Sequence, residues 1–308
     1  MATDTAAPPL AKYLASTEKK TRDKAVKNLA VFLSDPSRDA LPKSEMDKLW
    51  KGLFYCFWMS DKPLVQQALA SELAELVLTI KTTSAALAFL RGFWDAMCRE
   101  WAGIDRLRLD KYYMLVRRFV NASFRLLLRN DWSEEVCSEY NEILTRPGGG
   151  PLCPSDQKIP SSLGYHVCDV YLEELEKAVA SREDEIPSVP LAILISPFLN
   201  LASRTINSRT YARVESTVFK PLLSALSEDE EPRAKRARLE TPSASTSDYP
   251  TLVDNSRVDY SSEGKLDRPS LRRGLKKTIF HAASAPETRD PSRKRMYALW
   301  QADEEDDE

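Results

Sequence analysis

Histidine and glycine are scarce in this chain, and their scarcity removes several kinds of chemistry at once. The two histidines, His166 and His281, lie in no recognisable metal spacing with cysteine or carboxylate, so HxxxH and HExxH sites are excluded. Nine glycines supply no GxGxxG turn after a strand. Their one cluster, Gly148-Gly149-Gly150, lacks the following Gly-Lys-Ser/Thr of a phosphate loop. Five cysteines, at 56, 98, 137, 153 and 168, are odd in number and contain no CxxC pair. They read as reduced thiols filling a core in a cytosolic or nuclear compartment. No run approaches the ~18 apolar residues that span a bilayer, and MATDTAAPPL lacks the charged start and apolar stretch of a secretion signal. An excess of one charge is missing too: 44 basic and 46 acidic side chains leave a net charge of -2. Any contact with nucleic acid is therefore local. Carboxylates are abundant, but abundance is not pairing, since a general acid needs a shielded environment that a sequence does not display; with no nucleophile elbow, a non-enzymatic chain is the expectation, with no cofactor, metal, membrane or small-molecule substrate.

What is present is helical periodicity. Hydrophobic residues make up 43% of the chain, with six Trp, ten Phe and eleven Tyr, enough apolar surface for a sizeable core. Ala25, Leu29, Phe32 and Leu33 recur at helical spacing, with Lys19, Lys20, Arg22, Lys24 and Lys27 turned outward. Met46, Leu49, Trp50, Leu53, Phe54 and Phe57 make a second stripe behind Ser44. Helices follow from Asp61-Lys62-Pro63 and from about Ser84, then from Asp105 to about Arg129 and from Ser133 to about Thr145. After a Gly- and Pro-rich loop over 146–162, helices resume near 162–181, 189–204 and 208–226, with Pro197 and Pro221 marking kinks or boundaries. Strand alternation is missing before residue 227, so the expected class is all-α. Antiparallel helix pairs then stack as an irregular HEAT-like solenoid or a helical bundle, with a partly disordered C-terminal region.

The longest helix separates its two faces. At about 100° per residue, Leu109, Tyr113, Val116, Val120, Phe124 and Leu127 share one arc, while Lys111, Arg118, Arg125 and Arg129 fall opposite. The first arc predicts a buried face; the second is either a solvated back or a stripe that faces RNA phosphates. The strings here, Trp101 with Gly103-Ile104-Asp105-Arg106, Leu109-Asp110-Lys111-Tyr112-Tyr113 and Arg117-Arg118, are similar to the nucleolar ribosomal RNA processing protein one family. The resemblance extends back through Leu49-Trp50-Lys51-Gly52-Leu53-Phe54-Tyr55-Cys56-Phe57-Trp58-Met59-Ser60-Asp61-Lys62-Pro63 and forward to Arg272 through Trp300. It covers residues from about 10 to 226 plus the late segment. It implies a nucleolar role in large-subunit ribosome assembly, with pre-ribosomal RNA, other assembly factors and ribosomal proteins as partners. The alternative is a nuclear helical adaptor that binds proteins only.

Beyond a helical domain over 1–226 the composition shifts. Residues 227–270 open on Glu228-Asp229-Glu230-Glu231 and continue through Pro-, Ser- and Thr-rich sequence, which predicts a disordered linker. Within it Lys235, Arg236 and Arg238 have the spacing of a nuclear import signal read by an import receptor. Residues 271–300 form an amphipathic docking segment. Its anchors Leu275, Ile279, Phe280, Tyr297, Leu299 and Trp300 pack back on the helical domain or dock on another protein. Residues 301–308 are an acidic tail.

Overall fold

The computed structural model describes residues 10–37, 40–227 and 248–301. Lys235, Arg236 and Arg238 of the import motif lie outside the described residues, as does the acidic tail from residue 302. Packing divides the chain into two compact units at Val167 and Cys168, whereas the composition had suggested one helical domain up to residue 226.

The first unit is a two-layer helical stack. Helices α1 (Leu10–Leu14), α3 (Lys43–Trp58), α5 (Thr83–Glu100) and α7 (Glu134–Thr145) pack on one another in sequence, and α2 (Lys19–Leu33), α4 (Pro63–Thr79) and α6 (Arg106–Arg129) form the second layer. Contact between every second helix is the mark of hairpins stacked side by side, each burying a face that it cannot bury alone. In the second layer the helices begin 44 and 43 residues apart, at Lys19, Pro63 and Arg106, within the ~40–47 residues of a HEAT repeat. The first layer steps by 40 and then 51 residues between Lys43, Thr83 and Glu134, because the 24-residue α6 intervenes. That irregularity hides the period in the sequence.

Between the layers sits an aromatic hub. Trp50 of α3 is 2% exposed and donates from Nε1 to the Phe89 carbonyl at 3.1 Å. Its ring lies 4.6 Å from Phe89, 5.4 Å from Phe93 and 5.6 Å from Phe119, while Phe93 and Phe119 stack at 3.9 Å. Asp131 and Trp132 then break α6 in the left-handed region, at φ 50° and 55°, with Trp132 fully buried. The triple-glycine loop is irregular but packed: Gly148, at φ 78°, donates its N–H to Asp156 at 2.9 Å, and Arg146 pairs with Asp95.

The second unit takes the rest of α8 (Ser161–Ala180) together with α9 (Leu191–Arg204), α10 (Ser208–Val214) and α11 (Lys220–Ala225). A π-helical turn at Glu215–Phe219 joins α10 to α11 and absorbs Pro221, whereas Pro197 sits inside α9 without ending it. Residues 248–270 differ from the linker that their composition suggested. They form α12 (Pro250–Asp254), with Leu252 and Val253 fully buried, and a two-residue strand Ser256–Arg257 paired in parallel with Val189–Pro190. The Glu176 carboxylate accepts from the N–H groups of Thr251 and Leu252 at 3.1 and 2.7 Å and so caps α12.

Helices α13 (Arg268–Ser284) and α14 (Asp290–Gln301) pack on each other and on α9. Gly274 lets α13 approach the chain after the second strand, because an added Cβ would stand 2.2 Å from Val258 Cγ2. Gly274→Ala is therefore expected to destabilise by about 1–3 kcal/mol. Val258→Ala should recover most of that loss in a double-mutant thermal unfolding cycle; equal losses with and without Val258 would disprove the close approach.

Candidate nucleic-acid interface

Helix α6 starts where Asp105 caps it, accepting from Leu107 N–H at 3.0 Å and Arg108 N–H at 3.1 Å. Its buried arc is wider than the one read from the sequence and is rotated from it. Tyr112, Leu115, Phe119 and Leu126 are buried along with Val116, Val120, Phe124 and Leu127, while Leu109 and Tyr113 are half-buried. The supposed phosphate stripe consequently becomes, in large part, a seam against the α3–α4 hairpin. Lys111 is only 6% exposed and donates to the carbonyls of Trp58 at 2.7 Å and Ser60 at 2.8 Å. Arg125 pairs with Glu75 of α4. Arg129 donates to the Leu78 and Ile80 carbonyls at 2.8 and 3.2 Å, closing the C-terminal end of α4. Arg118 is exposed and makes no hydrogen bond or ion pair among the described residues.

Arg22 of α2, expected on an outer face, is also turned in. At 7% exposure it donates to Ser16 and Thr17 carbonyls at 2.9 and 3.0 Å and to the Met59 carbonyl at 3.4 Å. Two buried cations from different helices thus converge on the C-terminal end of α3, where unpaired carbonyls carry the negative end of the helix dipole. Around them Tyr112 donates to the Phe54 carbonyl at 3.0 Å and the Arg108 guanidinium lies 4.7 Å over Trp58. The two strings that carry the family resemblance meet here as an internal clasp.

Burial pulls the Lys111 ammonium from 10.5 down to about 8. It therefore remains mostly charged at neutral pH. Between pH 8 and 10.5 the folded chain has released a proton that the unfolded chain keeps, so the stability contributed at this position rises with pH in that window. The melting temperature of the wild type relative to Lys111→Met is expected to rise from pH 7.5 to pH 10; a constant difference would contradict the assignment.

In the second unit, Leu275 and Ile279 are buried with Leu271 on the inner face of α13, and Leu299 is buried in α14. Phe280, Tyr297 and Trp300 are half-buried and cluster instead on the outer side, with Phe280 5.6 Å from Tyr297 and 4.9 Å from Trp300. The six anchors named from the sequence thus divide between return packing and an outward cluster. Arg293 closes the intervening turn by donating to the Ala283, Ala285 and Thr288 carbonyls at 3.0–3.1 Å.

Two of the cysteines and His166 are set in the packed interior of the first unit. Burial pushes the Cys56 thiol up to about 11 and Cys98 up to about 12, opposite to an activated nucleophile. His166 Nε2 lies 2.8 Å from the Tyr113 carbonyl, against the Tyr113 ring at 4.5 Å. Among the described residues no cluster of His, Cys, Asp and Glu is placed to hold a metal ion, and no helix is long and apolar enough to cross a membrane.

The family profile described as "Nucleolar protein, Nop52" matches residues 5–299. Ribosomal RNA processing protein 1 homolog A from Homo sapiens is 39% identical over 217 residues, covering 70% of this chain and 46% of that protein. Homolog B from Homo sapiens is 38% identical over 216 residues, covering 69% of this chain and 28% of that protein. A homolog from Dictyostelium discoideum is 27% identical over 305 residues, covering 94% of this chain and 57% of the relative. The chain thus spans between 28% and 57% of the length of these relatives. With a profile that runs through both helical units and relatives matched along two thirds of its length or more, this chain belongs to the Nop52 family of nucleolar proteins, the family of ribosomal RNA processing protein 1.

Proposed function

We propose that the chain is a non-catalytic scaffold of ribosome biogenesis in the nucleolus. It holds pre-ribosomal RNA and large-subunit assembly factors in an arrangement that permits ribosomal RNA processing. Membership of a nucleolar family whose relatives are named for ribosomal RNA processing carries this reading. The two-layer helical stack supports it, since such stacks offer long exposed surfaces while their inner faces are filled. RNA contact on α6 falls chiefly to Arg118, with Arg125 shared with Glu75, whereas Lys111 and Arg129 are occupied by carbonyls. Nuclear entry is assigned to Lys235, Arg236 and Arg238, through an import receptor.

Replacing the endogenous protein with this chain in depleted cells tests the reading. The wild type should restore large-subunit RNA processing and co-sediment with precursor particles; normal processing after depletion alone would refute the role. One observation favours the second reading, a protein-only adaptor: three of the four expected phosphate contacts are engaged within the fold. Ultraviolet crosslinking in the particle separates the two readings, because an adaptor yields protein crosslinks without RNA. Arg118→Glu should weaken particle association and lower its salt slope by about one if the phosphate contact is real.

A further inference from the structure

We infer that the outer side of the α13–α14 pair is a stacking site for single-stranded RNA. A cleft of about 360 Å³ is lined by Arg273, Lys276, Lys277, Phe280, His281 and Trp300, with no carboxylate among them. Its floor is aromatic. Phe280 and Trp300 are half-buried with ring centroids 4.9 Å apart and tilted by 51°, and Tyr297 lies 5.6 Å from Phe280. Arg273, Lys277 and His281 are exposed at successive i, i+4 steps, so their bases rise about 6 Å apart along the helix. Leu271, Leu275 and Ile279 occupy the opposite face, and α13 is held there against α9. The outward residues therefore stand on a fixed helix.

A ladder of the two cations Arg273 and Lys277 beside partly open rings is the combination that binds single strands, with phosphates along the cations and bases against the rings. Neither Arg273 nor Lys277 makes an ion pair among the described residues, although Arg273 lies near enough to the Asp267 cap to help hold its carboxylate ionised. A duplex hides its base faces and would engage the ladder alone. An acidic amphipathic helix needs anchor pockets at i, i+4 and i+7, more than a cleft bounded by six side chains offers. An acidic extended peptide would use the charges and leave the rings wet.

The test uses the full chain and fluorescence anisotropy. The probes are a labelled uridine strand of about ten nucleotides, an RNA duplex of equal length, and the acidic peptide ADEEDDE that copies residues 302–308. The single strand should bind more tightly than the duplex. Phe280→Ala with Trp300→Ala should weaken strand binding by about tenfold or more while changing duplex binding little. Arg273→Glu with Lys277→Glu, on exposed side chains without internal ion pairs, should lower strand affinity and its salt dependence even if the ring variant fails to fold. Equal binding of strand and duplex, indifference to both double variants, or displacement of the strand by equimolar peptide would overturn the inference. The inference rests on the RNA-contact reading above, and the two fail separately. A folded ring variant that binds strands normally removes the cleft alone; a wild-type chain that stays off precursor particles removes that reading, while the oligonucleotides still judge the cleft.

Discussion

Reversing the charge of Lys111 is expected to destabilise the amino-terminal unit strongly, while the same reversal at Arg118 is expected to leave its stability almost unchanged. The two residues lie two turns apart on α6 and look alike in sequence. Lys111→Glu would place a carboxylate where an ammonium now sits 2.7 and 2.8 Å from two carbonyl oxygens, at 6% exposure. An uncompensated buried charge facing like partial charges costs about 3–5 kcal/mol, which for a unit of this size lowers the melting temperature by about 10 °C or more. Arg118→Glu removes no internal partner and should shift melting by no more than about 2 °C. Circular dichroism melts of the two variants check both halves, and a Lys111→Glu variant melting like the wild type would show that the ammonium is not locked. Interface mapping is affected directly. Reversing all four stripe cations together would lower particle association through lost stability, whether or not any of them touches RNA.

Trp50→Ala carries the second large expectation. The indole touches Phe89, Phe93 and Phe119 at 4.6–5.6 Å and is the donor to the Phe89 carbonyl, so truncation opens a cavity where α3, α5 and α6 meet. The expected loss is about 3–5 kcal/mol, read as a lower denaturant midpoint. Trp50→Phe keeps most ring contacts and loses the hydrogen bond, so it should cost less, about 1–3 kcal/mol. If the two variants were equally destabilised, the hydrogen bond rather than the packed ring would be the anchor.

The helices were legible because local signals fixed them: Asp105 as a cap, Pro63 at a first turn, and apolar residues returning every three or four positions. The rotation of α6 was not, because the helix is buried on two sides. Leu115, Phe119 and Leu126 are the sign of it in the sequence, an apolar set beside the Leu109–Leu127 arc. Arg22 and Lys111 misled for a related reason, since long apolar stems let a cation on the rim of a helix reach back to buried carbonyls. A periodic pattern shows which residues are apolar; it does not show which carbonyls elsewhere need a donor. Composition misjudged 248–270 because Leu252 and Val253 do the burying amid Ser, Asp and Pro, and the Glu176 cap lies 75 residues away. Within the late segment the anchors were legible as a set, and only the packing of α13 on α9 divided them into inner and outer faces.

The joining of α8 to α12 also bears on the order in which the chain folds. In the first unit each helix meets a partner one hairpin away, at separations such as the 53 residues between Lys111 and Trp58, so this unit can assemble hairpin by hairpin while synthesis continues. In the second, Glu176 waits for Thr251 and Arg204 pairs with Glu287, 75 and 83 residues on. The face of α9 that α13 and α14 cover therefore stays open until almost the last described residue has left the ribosome. A chain stalled before Arg268 would present a folded amino-terminal unit and an uncovered apolar helix, the kind of surface that chaperones hold and proteases find.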